Sequence, residues 1–142
     1  MQKRASWYVP VEHTADAGIK IFAPDLKGVF ESAAQGLFDL IANLDRVTPT
    51  SRRQIEIEAT DREALLVTWL SELNYLFLTE RVIFKKFQIT TLHECALSAL
   101  VAGEPLDLEK HEIYTEVKAV TYHGLYVKEA DDGCEAQVIF DL

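Results

Sequence analysis

Gln54-Ile55-Glu56-Ile57-Glu58-Ala59-Thr60-Asp61-Arg62-Glu63-Ala64-Leu65-Leu66 decides the fold, because the hydrophobic period changes inside it. Ile55 and Ile57 point one way and Glu56 and Glu58 the other, which is a half-exposed strand. Thr60 and Glu63 then have capping-box spacing, with Thr60 as the cap and Glu63 reaching back to it. Beyond them Leu65, Leu66, Trp69, Leu70, Leu73, Leu76 and Phe77 recur at helical steps, so a helix is predicted to about Thr79. A strand that turns directly into an apolar helix needs a sheet to pack on.

Upstream, Arg46 to Ser51 with Pro49 is a loop. Before it, Leu26, Val29, Phe30, Ala33, Leu37, Phe38, Ile41 and Leu44 mark a helix from Leu26 to about Asn43, with Asp25 as its N-cap. Gly28 and Gly36 weaken that helix by roughly 1 kcal/mol each relative to Ala, which burial of the stripe offsets. Ala17 to Phe22 is a strand, and Trp7-Tyr8-Val9 is another, stopped by Pro10. Downstream, strands are predicted over 82–89, 95–101, 113–117, 122–127 and 136–140. Gly103-Glu104-Pro105 punctuates the middle, and Asp131-Asp132-Gly133 is a hairpin turn. The expectation is an α+β fold: one domain over 1–142, with two helices packed on one face of a largely antiparallel sheet.

The bulk numbers exclude several classes. A chain of 142 residues, 49% hydrophobic, buries one good core. No apolar run approaches the ~20 residues of a membrane span. The basic start Met1-Gln2-Lys3-Arg4 has no apolar segment behind it, so it is not a secretory signal. Cys95 and Cys134 form no disulfide framework and lack zinc-ligand spacing. Beside Ala96-Leu97, Cys95 is predicted to be a buried reduced thiol, and a cytoplasmic setting fits. Fourteen cations against twenty-three acids give a net charge of −9. Phosphate backbones demand cations, so direct RNA or DNA binding is not expected; beyond the basic start, the only short basic clusters are Arg52-Arg53 and Lys85-Lys86. An acidic surplus suits solubility, a basic protein partner or a hard cation.

Chemistry concentrates at the ends of these elements. Glu12-His13-Thr14-Ala15-Asp16 sets an imidazole, a hydroxyl and two carboxylates at a strand mouth; taken alone, these five residues are more simply a side-chain-satisfied turn with Asp16 at its solvated edge. Asp61 stands at a helix N-terminus, where the macrodipole alone explains a carboxylate. Asp141 follows the apolar run Val138-Ile139-Phe140, and a solvated tail is its plain structural explanation. If the three aspartates converge, pairs about 5 Å apart repel by roughly 3 kcal/mol each at an effective dielectric of 20. A trio then costs on the order of 10 kcal/mol, as much as a domain's whole stability. Either a pKa rises or a cation binds, and oxygen ligands select Ca²⁺, Mg²⁺ or Mn²⁺ over structural zinc. The sequence permits this convergence without proving it.

Lys118 and His123, in Glu116-Val117-Lys118-Ala119-Val120-Thr121-Tyr122-His123, lie on an exposed strand or face a partner. His93 and His111 sit in loop-like contexts that carry no functional signal. There is no phosphate loop, nucleophile elbow, His-Glu-x-x-His or Cys-x-x-Cys.

Taken in order, His13-Thr14-Ala15-Asp16, Phe30-Glu31-Ser32-Ala33-Ala34, Ala59-Thr60-Asp61-Arg62-Glu63-Ala64-Leu65-Leu66, the Glu116 to His123 string and Phe140-Asp141-Leu142 make this chain similar to the archeases, from about Tyr8 to Leu142. The resemblance implies a small α+β protein, not itself an enzyme, that assists the RtcB-type RNA ligase in tRNA splicing and RNA repair. It implies promotion of ligase guanylylation and of repeated turnover. It also implies a metal-binding acidic site on Asp16, Asp61 and Asp141, with His13 orienting and Lys118 and His123 supporting or touching the partner. tRNA would be reached only through the ligase. Ala23-Pro24, where relatives often carry Gly, and Leu142, where Ile is common, depart from the pattern without touching a carboxylate. Two other readings stand beside it: a metal-dependent hydrolase of a small phosphorylated substrate, and a chaperone-like interaction module.

Overall fold

The computed structural model describes residues 6–13 and 16–142, with the backbone alone for 11–13. Met1 to Ala5, Thr14, Ala15 and the side chains of Glu12 and His13 therefore lie outside the described residues. Within them the chain order is β1 (Trp7–His13), β2 (Asp16–Ala23), α1 (Leu26–Ile41), a 3₁₀ turn (Leu44–Arg46), β3 (Ser51–Glu58), α2 (Arg62–Glu80), β4 (Val82–Leu92), β5 (Ala96–Pro105), β6 (Ala119–Ala130) and β7 (Gly133–Asp141). The α+β class and its two helices match the sequence expectation.

The single sheet does not. The strands divide into a four-stranded sheet, β1-β2-β7-β6, and a three-stranded one, β3-β5-β4, with every pairing antiparallel. The reason lies in α2. Leu65, Leu66, Val67, Trp69 and Leu70 are all buried, and residues that close in sequence cannot share one helix face. A helix apolar on several sides needs cover on several sides. Accordingly α2 packs against β6 of one sheet and β3 and β4 of the other, and α1 against β2 and β4. One core runs through both layers: Phe38 of α1 meets Phe77 and Phe84 edge-on and stacks on Phe87. The buried Trp69 Nε1 donates to the Phe30 carbonyl at 2.9 Å, tying the helices together.

Four further expectations are corrected. Pro10 does not end β1, because β1 is an edge strand and has a side on which no N–H is needed. Thr60 does not cap α2; Asp61 does, accepting from Ala64 N–H at 2.8 Å. That shift moves Glu63 out of capping-box reach. Residues 113–117 form no strand: Tyr114 and Thr115 N–H donate instead to the Ile41 carbonyl, one of the unsatisfied acceptors at the end of α1. Cys95 is exposed, with its thiol against the Thr60 carbonyl at 3.4 Å.

Candidate functional site

The register of the four-stranded sheet places Asp16 directly opposite Asp141. The same row continues to His13 on β1 and Ala119 on β6. This row closes one end of the sheet. Ile19, Ile21, Ala136, Val138 and Phe140 are buried and belong to the alternate positions, so Asp16 and Asp141 fall on the outer face, away from the helices. Directly opposed residues have Cβ atoms about 5 Å apart. Two ionised carboxylates there repel by about 1 to 3 kcal/mol, between bulk water and an effective dielectric of 20. No described side chain pairs with either carboxylate.

The flanking strand is held against this pair from two directions. Lys118 N–H donates to the Asp141 carbonyl at 2.8 Å, while the Lys118 side chain is exposed. One residue earlier, the Val117 carbonyl accepts from buried Asn74 Nδ2 of α2 at 2.8 Å. Asn74 thus pins the entry to β6 beside Asp141. Sequence reading passed over it, although a lone Asn in the apolar run Trp69 to Phe77 is a visible signal. On the other side, β6 loses register with β7 between Thr121 and Tyr126. Thr121 Oγ1 donates to the Ile139 carbonyl at 2.9 Å and accepts from His123 N–H at 3.3 Å. Gly124, at φ +62°, completes the turn, and Gln137 Nε2 donates to its carbonyl at 2.8 Å. His123 is therefore exposed on a short strap that begins at Thr121, two rows from Asp141.

Asp61 does not join this group. It caps α2 next to Arg62, and Arg62 forms an ion pair with Glu129. Glu129 lies opposite Cys134, seven residues along β7 from Asp141. At about 3.3 Å per residue, that is roughly 23 Å down the sheet. The expected trio of converging carboxylates is corrected to a pair, and Asp61 keeps its structural role. Among the described residues no three His, Cys, Asp or Glu side chains are placed to share an ion.

Two opposed carboxylates without an ion-pair partner among the described residues still fit a hard divalent ion. Mg²⁺-type sites use one or two carboxylates and fill the remaining positions with water or carbonyl oxygen. The exposure of Asp141 leaves room for that water.

The model of the Archease protein family (MTH1598/TM1083) matches residues 8–142. A protein archease of Methanosarcina mazei is 37% identical, with all of both chains covered. One of Thermococcus gammatolerans is 40% identical over 92% of this chain and 95% of its own. The solution structure of Methanobacterium thermoautotrophicum protein 1598 superposes with a TM-score of 0.79 at 35% identity, covering 95% of this chain and 98% of that one. The crystal structure of an archease from Thermotoga maritima, described as a possible chaperone, shares the fold with a TM-score of 0.65 at 20% identity, covering 94% and 96%.

Proposed function

The chain belongs to the archease family, and on that premise we propose that it is a non-catalytic accessory factor of an RtcB-type RNA ligase, acting in the cytoplasm in tRNA splicing and RNA repair. The observation that carries the reading is the Asp16–Asp141 pair: two like charges opposed on an outer sheet face, without a described partner. Such a pair costs stability by itself. It is accounted for if something positive is meant to meet it.

In this reading Asp16 and Asp141 hold a hard divalent cation, Ca²⁺, Mg²⁺ or Mn²⁺. Bound there, the ion supplies positive charge for phosphate oxygens at a protein–protein junction. The chain's own part is to fix the two carboxylates on adjacent strands and to present them on a face the helices do not cover. Lys118 and His123, exposed beside the pair, contact the ligase and set its approach. Docking of this edge promotes guanylylation of the ligase and lets it turn over repeatedly. The net charge of −9 keeps tRNA at a distance except through the ligase.

Ligase guanylylation measured with and without this protein tests the proposal. Asp16→Ala and Asp141→Ala are expected to abolish stimulation while leaving the melting temperature in place. Full stimulation by both variants rejects it. Turnover of a phosphoester by this protein alone, with Mg²⁺ or Mn²⁺, would instead support a hydrolase.

A chaperone-like reading has one observation of its own. Leu106, Leu108 and Ile113 surround a groove with Phe77 at the end of α2, and Leu108 is 76% exposed. Protection of a partner from aggregation that survives Asp16→Ala and fails in Leu108→Glu would favour that reading.

A further inference from the structure

Cations are scarce here, and most of the described arginines are taken by carboxylates: Arg53 by Glu80, Arg62 by Glu129 and Arg81 by Glu116. Arg52, Lys85 and Lys86 are different. None has a described carboxylate partner, and all three line one cleft of about 640 Å³ on the three-stranded sheet. The register explains the gathering. Arg52 of β3 and Lys86 of β4 both pair with Ala102 of β5, so they flank it in one row, roughly 10 Å apart. Ala102 contributes only a methyl group, which leaves the floor between them open.

Strict alternation would send Lys85 and Lys86 to opposite faces. The register breaks between Phe84 and Lys86, and the extra residue re-aims Lys85. Its Nζ donates to the Val47 carbonyl at 3.2 Å. Gly103 makes the bulge possible: a Cβ there would sit 1.8 Å from the Ile83 carbonyl oxygen. Gln35 and Gln88 add amide groups, and Ser32 a hydroxyl. Among the described residues, Glu31 is the one carboxylate lining the cleft. It is turned to Ile89 N–H at 2.8 Å, and burial pushes its pKa up.

We propose that this cleft binds the phosphate group of a nucleotide-sized ligand. A guanidinium fork and two ammonium groups around an open floor suit phosphate oxygens, the arginine bidentate and the lysines as point charges. The volume lies in the range of small-molecule sites. Three cations are too few to track a nucleic-acid backbone in an acidic chain. The site lies on the other sheet from Asp16 and Asp141 and stands independently of the ligase reading.

The test is titration of the full chain with inorganic pyrophosphate, GMP and a short single-stranded RNA, followed by amide NMR. Shifts are expected at Arg52, Lys86, Gln88 and Ala102. Arg52→Gln and Lys86→Gln should each weaken GMP binding roughly tenfold, the loss of one charge-assisted bond, without lowering the melting temperature. Asp16→Ala should leave binding unchanged. The RNA should bind no tighter than GMP. The proposal is overturned by absence of shifts at millimolar ligand, by equal shifts around Lys118 and Lys128, by unaltered binding in Arg52→Gln, or by RNA binding far tighter than GMP.

Discussion

The two ends of the four-stranded sheet carry the same residue type in opposite circumstances. At the hairpin end Asp61 is used up: its carboxylate caps α2 through Ala64 N–H, and the neighbouring Arg62 is paired to Glu129. At the other end Asp16 and Asp141 face each other across two strands, with no described partner. Both ends are acidic and both sit at element termini. The difference is that the fold explains the first carboxylate and leaves the second two unexplained. Polar groups the fold does not need are where function is to be sought.

The largest effect expected from this contrast is functional. Asp16→Ala or Asp141→Ala should remove stimulation of the ligase altogether. Chemical denaturation should show stability unchanged or raised by up to about 1 kcal/mol, since a repelling pair is relieved. The mirror experiment is Asp61→Ala. Loss of the cap should cost about 1 kcal/mol, a fall of about 4 °C in melting temperature, with stimulation retained. If Asp61→Ala silences the protein at full stability, the contrast is broken. Arg62→Ala should cost less, about 0.5 kcal/mol, because its ion pair is solvent-accessible, and the loss should shrink in high salt.

The smallest effect at neutral pH, visible only as a slope in acid, belongs to Glu104. Lys110 Nζ, Thr48 N–H and His111 Nε2 all bond its carboxylate and hold its pKa down at about 2. A carboxyl depressed in the folded state stabilises above its ordinary pKa of 4.5, and that contribution fades as pH falls toward 2. Glu104→Gln should flatten the acid limb of a stability–pH curve over that window.

Much of this was legible in the residues, and the exceptions have physical causes. The period change at Ala59–Thr60 and the stripes of both helices are local signals, and they suffice for the α+β class. Division into two sheets was hidden because α2 looked like one strong face. Its buried Leu66 and Val67 become meaningful only when cover on a second side is seen. Residues 113–117 alternate like a strand, but open carbonyls at the end of α1 compete for their N–H groups. Asp16 and Asp141 were legible as strand ends, and the sheet register then set them side by side. Asp61 looked the same on paper, because the distance between element ends is not written in a linear chain. The basic cleft was half visible: Arg52-Arg53 and Lys85-Lys86 stood out as clusters, while the bulge that gathers their side chains did not.

The central claim, that Asp16 and Asp141 form a cation site from which Asp61 is separate, is met most directly by calorimetric titration of the full chain with Ca²⁺ and Mg²⁺. Wild type and Asp61→Asn should take up a cation alike, while Asp16→Asn and Asp141→Asn should lose the uptake. Binding that persists in Asp16→Asn, or disappears in Asp61→Asn, would contradict the account.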